Sequence, residues 1–336
     1  MNDKISVVII SKNEEKNIDE CIRSVFEALN NFVNYEIFLV DSASSDNTIK
    51  KAMKYPINIF KLKNEWKHSA SAGFYLGYLN SSGKYICFLA GDMILHRDWF
   101  KLSIPFLEKN DIGGVSGRIV NIFPRRCKNL ATKIIKDNFR RLPIGEVRVL
   151  GGPTFYKKHV LDQVGPFHPF IKAGEEAELS FRVKEEGYKL VRLPIIMTYH
   201  FFPCISFKNY VSKYHWNYVK NVGSSLRYTF NNDIKIFYKR FKEIIVSLAL
   251  LFYFINTILS LTFFLFENNN IIFYLLIGYS ILMFILILKR KNLQMALIFL
   301  LLINIEALAK CIGFFYTIPK PEEYPTDAIR VKIISE

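Results

Sequence analysis

Two short apolar runs, Glu36–Val40 and Tyr85–Leu89, each lead to an acid: Asp41 directly, and Asp92 after Ala90 and Gly91. Runs of this length with few charges read as strands covered on both faces. In an open α/β sheet, ligands bind outside the carboxyl ends of the strands. One acid per strand at that edge suits a metal-bound nucleotide. Mg²⁺ and Mn²⁺ are held by a carboxylate or two together with diphosphate oxygens.

The surrounding pattern fits such a sheet. Ile5–Ile10 reads as a strand and Ser11–Lys16 as a loop. Ile18, Cys21, Ile22, Val25, Phe26 and Leu29 then recur at helical spacing, with Asn17 and Glu20 placed as a capping box. Residues 57–62 are expected to form a third strand and 69–80 a helix. This alternation predicts a mixed, mainly parallel sheet with helices on both faces. Beyond residue 113 the spacing predicts a strand at 113–120, a basic surface segment at 121–150 and a Gly151-Gly152-Pro153 turn. A strand at 154–157, a helix at 175–186 and a strand at 189–193 stopped by Pro194 follow.

After about residue 240 the composition changes to long runs of Leu, Ile and Phe. The overall 51% hydrophobic content therefore averages two kinds of segment. Residues 244–266 and 271–288 are apolar enough to span a bilayer. Residues 293–316 read equally as a span, a re-entrant helix or an interfacial helix, because Glu306 and Lys310 lie within them. The expected organisation is a domain at 1–205, basic aromatic interfacial helices at 206–242, a transmembrane hairpin at 243–290, a third membrane or re-entrant helix at 291–318 and a polar tail at 319–336.

The net charge is +15, with nine Lys/Arg in 118–148 and eight in 208–242. The second cluster abuts the apolar runs, which points to anionic membrane lipids. No nucleic-acid motif accompanies the charge, so nucleic acid is not the expected partner. Basic residues flank the hairpin at 235–242 and 289–291, and no signal peptide is evident. Both features predict a multi-pass protein with its N-terminal domain on the cytoplasmic face. The five cysteines form no Cys-x-x-Cys pair and read as free thiols of a reducing compartment.

Individually the candidate residues have plain alternatives. Asp41 suits a nucleotide base or ribose but also a capping turn. A buried Asp92 is costly unless paired, which a divalent cation relieves. Glu175, Glu176 and Glu178 suit a helix dipole, yet three acids exceed what capping needs, and one is a candidate general base. His200 and Arg118, taken alone, are a core histidine and a surface arginine.

In order, these pieces resemble the family 2 glycosyltransferases of the GT-A fold over about residues 4–205. The resemblance rests on Ile5 through Ile18, on Phe38–Asp41 through Thr48, on Gly83 through Asp92, on Gly151-Gly152-Pro153, and on Gly174 through Leu179 with Arg182. It implies that Asp41 contacts the nucleobase and Glu14 the nucleotide, that Asp92 and His200 hold Mn²⁺ or Mg²⁺, that Glu176 is the base, and that Arg118 meets a phosphate. It differs at Ala90, where the first Asp of Asp-x-Asp is usual, at Phe74, where many members have Arg, and in lacking Gln-x-x-Arg-Trp. The last difference implies one sugar per encounter.

The implied activity is inverting transfer of one sugar from a UDP- or GDP-linked donor to a lipid-linked saccharide or polyprenyl phosphate. An inactive glycosyltransferase-like subunit is the alternative. A nucleotidyltransferase predicts a glycine-rich loop after the first strand, and Ser11-Lys12-Asn13-Glu14 has no glycine.

Overall fold

The computed structural model describes residues 3–125, 127, 131, 132, 134, 135, 142–212, 217–237, 305 and 308–334. The expected hairpin at 243–290 and most of 291–318 lie outside these residues. Among the described residues, no helix is long and apolar enough to cross a membrane. Two compact units emerge: residues 1–207 with 319–336, and residues 208–318.

The first unit is built on a ten-stranded mixed sheet. Strands β1 (Ile5–Ser11), β2 (Tyr35–Asp41), β3 (Asn58–Lys61) and β4 (Tyr85–Ala90) are parallel, with β1 between β2 and β4. Alternate residues bury on opposite faces. Val7, Ile9, Leu39, Cys87 and Leu89 join the core beneath α1 (Ile18–Leu29) and α4 (Trp99–Leu107), to which the short α2 (Thr48–Ala52) adds Ala52. Val8, Phe38, Val40, Ile86 and Phe88 join the other, beneath α3 (Ala70–Leu79). Each fully buried side chain of this size stabilises the fold by about 1.5–3 kcal/mol. Helix α3 lies unusually close to β1, since a Cβ on Gly77 would come within 2.1 Å of Val8 Cγ1.

Past β4 the chain adds β5 (Met93–Leu95), β6 (Ile112–Ile122), β7 (Gly145–Glu146), β8 (Thr154–Lys157), α5 (Lys158–Val164), α6 (Glu175–Glu185) and β9 (Lys189–Phe201). Three expectations need correction here. Pro194 does not stop β9: it lies exposed where the β6–β9 register shifts, between the pairs Ser116–Arg192 and Arg118–Ile196. A proline is tolerated at such an irregularity because no ladder bond needs its N–H. The segment 121–150 is not wholly superficial, since Cys127, Ala131, Val147 and Leu150 are buried. Cys127 is joined to Cys204 in a disulfide, with Cα atoms 5.5 Å apart, whereas Cys21, Cys87 and Cys311 are free.

The polar C-terminal stretch returns to this same unit. There β10 (Ile329–Lys332) pairs antiparallel with β3 at the sheet edge. In the second unit, α7 (Asn217–Asn232) falls in the stretch expected to be helical and interfacial. It approaches the stretch around Gly313 so closely that a Cβ on Gly223 would meet Lys310 O at 2.2 Å.

Candidate active site

The carboxyl ends of β1 and β4 open onto a cleft of about 250 Å³ lined by Ser11, Lys12, Glu14, Ser42, His68, Ser69, Ala90, Gly91 and Asp92, among others. Two loops form one side of it and are sewn together. Asn13 N–H donates to Ser44 Oγ at 2.8 Å, and Glu14 N–H to Thr48 Oγ1 at 2.8 Å. In return, Ser45 N–H donates to Asn13 Oδ1 at 2.9 Å and Asn47 N–H to Glu15 Oε2 at 3.0 Å. Asn13 and Ala43 both have φ of 58°, a conformation that L residues adopt only when surroundings impose it.

Asp41 does not reach the cleft. It is fully buried, and its carboxylate accepts from Ser44 N–H (2.7 Å), Ser44 Oγ–H (2.6 Å) and Ser11 Oγ–H (2.8 Å). These bonds make Asp41 the residue that holds the turn in this structure, and its neighbour Ser42 lines the cleft. Asn17 also departs from expectation. It makes no side-chain cap for α1, and its Nδ2 donates instead to Glu14 Oε2 at 2.8 Å. Burial, reinforced by Asp92 and Asp46, raises the Glu14 carboxyl above its ordinary range, while Asn17 and His200 work against that rise.

At the far wall, Asp92 meets His200. Strand register explains the meeting. Met93, next to Asp92, pairs with His200 across β5 and β9, and Asn121 pairs with His200 across β6 and β9. His200 Nε2 lies 3.1 Å from Asp92 Oδ2, and His200 Nδ1 lies 2.9 Å from Asn121 Oδ1. Asp92 Oδ1 is buried without a hydrogen-bond partner. A carboxylate oxygen left in that state is expensive unless a cation relieves it. The pair thus fits a divalent ion that takes its other ligands from a diphosphate. Among the described residues no third His, Cys, Asp or Glu completes a protein-only set.

The acids that open α6 separate by environment. Glu178 is committed to Arg182, with Nε–Oε1 at 2.6 Å and Nη2–Oε2 at 2.8 Å. Glu175 is buried, its Oε2 has no partner, and burial beside Glu176 raises its pKa well above the carboxylate range. Glu176 is half-buried, and its pKa too is raised by burial, partly offset by Gly152 N–H, 3.5 Å from Oε1. Gly152 in turn abuts Ile119, where a Cβ would come within 2.6 Å of Ile119 Cδ1. Ile119 stands two residues before Asn121 on β6.

Arg118 is exposed on β6 and lines no part of the cleft. Phe74 points into the core, 5.2 Å from the Phe88 ring and 5.1 Å from Phe167. Ala90 lines the cleft at the end of β4. Asn121 was not foreseen from sequence, because only the β6–β9 register brings it to His200.

Residues 6–167 match the model of the family described as Glycosyl transferase family 2. Over 195 residues it is 24% identical to glycosyltransferase AglE of Haloferax volcanii, covering 55% of this chain and 63% of that protein. Over 114 residues it is 30% identical to UDP-Glc:alpha-D-GlcNAc-diphosphoundecaprenol beta-1,3-glucosyltransferase WfgD of Escherichia coli, covering 34% of this chain and 44% of that protein. The chain thus spans less than two thirds of either relative. Its fold is similar to that of the mannosyltransferase PcManGT from Pyrobaculum calidifontis, solved with GDP-Man and Mn²⁺. There the TM-score is 0.65 at 14% identity, over 94% of this chain and 88% of that one.

Proposed function

We propose that this chain is a membrane-associated, inverting glycosyltransferase that moves one sugar from a UDP- or GDP-linked donor to a lipid-linked saccharide or polyprenyl phosphate. One observation carries the reading: Asp92 shares one carboxylate oxygen with His200 and leaves the other buried and unpartnered, at the mouth of a cleft at the strand ends. Asp92 and His200 would hold Mn²⁺ or Mg²⁺. A bound divalent ion supplies positive charge against the departing diphosphate.

The chain's own residues do the rest. Lys12 and Ser42 line the cleft and offer donors to the diphosphate and nucleoside. Glu14, beside them, keeps a raised proton affinity and adds little repulsion when protonated. Glu176 takes the proton of an acceptor hydroxyl as its oxygen bonds to the anomeric carbon and the bond to the diphosphate breaks. Its raised pKa makes it a stronger base than an ordinary carboxylate. A phosphate acceptor is already anionic and has no need of that base.

The apolar segments 243–290 and 291–318, flanked by basic residues, would anchor the protein to anionic lipid on the cytoplasmic face. WfgD, named for a diphosphoundecaprenol-linked acceptor, supports a lipid-linked acceptor here. Ala90, in the cleft where related enzymes carry an acid, favours a second reading, a non-catalytic subunit.

One experiment decides between them. The full chain is purified in detergent and given UDP- and GDP-sugars, membrane lipid extract and Mn²⁺ or Mg²⁺. Metal-dependent transfer that Asp92→Asn abolishes is the expected result. Persistence of transfer in Glu176→Gln identifies a phosphate acceptor, and its loss a hydroxyl acceptor. Absence of both turnover and metal-dependent nucleotide binding establishes the second reading.

A further inference from the structure

The cleft wall formed by His68 and Ser69 ends a loop, residues 63–69, that has few constraints of its own. Trp66 N–H closes a turn on Lys63 O at 3.1 Å, and His68 Nε2 lies 2.8 Å from the same carbonyl. The other loop that matters, residues 165–173, leads into Glu175 and Glu176. It touches the first through Ser69 Oγ, which donates to Pro169 O (2.8 Å), and α3 through Ser71 Oγ, which donates to Ile171 O (2.6 Å). Both loops also meet a third element that is far away in sequence.

That element is the C-terminal stretch, and its central residue is Tyr324. The ring is 2% exposed and stands between the two loops. Its centroid lies 5.9 Å from Trp66 of the first loop, 5.2 Å from Phe170 of the second and 6.3 Å from Tyr75 of α3. Its hydroxyl donates to Lys67 O at 2.9 Å. Lys63 pairs with Asp327, three residues on. Beyond it, β10 fixes the stretch to β3, and Lys332 Nζ donates to Tyr55 O at 2.7 Å. A buried aromatic ring with a satisfied hydroxyl supplies both bulk and direction at such a junction.

We infer that residues 319–327 are a working part of the donor site, with Tyr324 as a positioning residue that sets the 63–69 wall of the cleft and the 165–173 loop against each other. None of this stretch falls within the 6–167 family match. The inference rests on the glycosyltransferase reading for what the cleft binds, but not for the coupling of the two loops. Small displacements of binding groups have large effects on ligand and substrate alike.

The test uses the full chain and two readouts. Amide hydrogen exchange reports the order of residues 63–70 and 166–173, and calorimetric titration reports the affinity for UDP and GDP with Mn²⁺. Tyr324→Ala is expected to speed exchange in both loops and to weaken nucleotide binding by about tenfold or more. Tyr324→Phe, which removes only the Lys67 bond, is expected to loosen 63–70 and leave 166–173 protected. Lys332→Ala loosens β10, beyond that stretch, and is expected to change neither loop nor affinity.

A folded Tyr324→Ala protein with both loops protected, or with wild-type nucleotide affinity, would overturn the inference. So would an equal effect from Lys332→Ala. If Tyr324→Ala does not fold, Tyr324→Phe decides alone, by whether 63–70 loses protection. If the wild-type chain binds neither nucleotide, the functional reading fails, and the exchange data still decide the coupling.

Discussion

A single hydrogen bond at Asn121 determines what His200 can do. Without a metal, Nε2–H can donate to Asp92 Oδ2; with one, Asn121 Oδ1 would accept from Nδ1–H and leave the Nε2 lone pair free to hold the ion. Asn121→Asp keeps an acceptor in place and is expected to preserve Mn²⁺ affinity. Asn121→Ala frees the ring and is expected to weaken Mn²⁺ binding by roughly 10- to 100-fold, read by electron paramagnetic resonance in the presence of nucleotide. Glu175 gives a prediction of opposite character. Its folded-state pKa lies well above the unfolded value, so the folded protein retains a proton that the unfolded chain releases. Stability then falls as pH rises from the unfolded pKa toward the folded one. Glu175→Gln removes that dependence and is expected to raise the melting temperature at pH 8, the gain vanishing near pH 4. Melting curves across that range check both the sign and the window.

At the scale of elements, Arg182 on α6 does the work of a clasp. It forks onto Glu178 and also donates to the carbonyls of Val164, Gly165 and Pro166, which closes the end of α5 onto α6. Arg182→Met leaves Glu178 buried without its counter-ion and is expected to cost about 3–5 kcal/mol, seen as a lowered denaturant midpoint. Both residues stand out in the sequence, and so does the helix that carries them, because the acid and base are one turn apart. The β1, β2 and β4 cores were equally legible from unbroken apolar runs. What the sequence conceals is register between distant strands. Pro194 reads as a stop until β6 supplies a shifted partner, and Asn121 is an ordinary strand residue until β9 places His200 opposite. Asp41 shows a related limit. Its type and position suit a base contact, but nothing in the sequence announces the bonds its carboxylate accepts from Ser11 and Ser44.

For the whole molecule, the disulfide and the C-terminal strand connect parts that local sequence cannot connect. Cys127 and Cys204 are 77 residues apart, and a loop of that size stabilises by roughly 4 kcal/mol when closed, on a chain-entropy argument. Alkylation of the denatured protein without reductant is expected to label the three free cysteines, and after reduction all five. Five labels in both conditions would show that the bridge does not form in the purified chain. The return of residues 319–332 to the first unit also sets an order of events during synthesis. A ribosome completes β1 to β9 early, yet β10 emerges only after residues 208–318 have been made. The edge of β3 stays open, and Lys67 and Phe170 lack their common neighbour, until residues 319–332 leave the exit tunnel. A nascent chain is therefore a sheet with one strand missing, and the loops at 63–69 and 165–173 gain the ring they share only after residues 208–318 have been made.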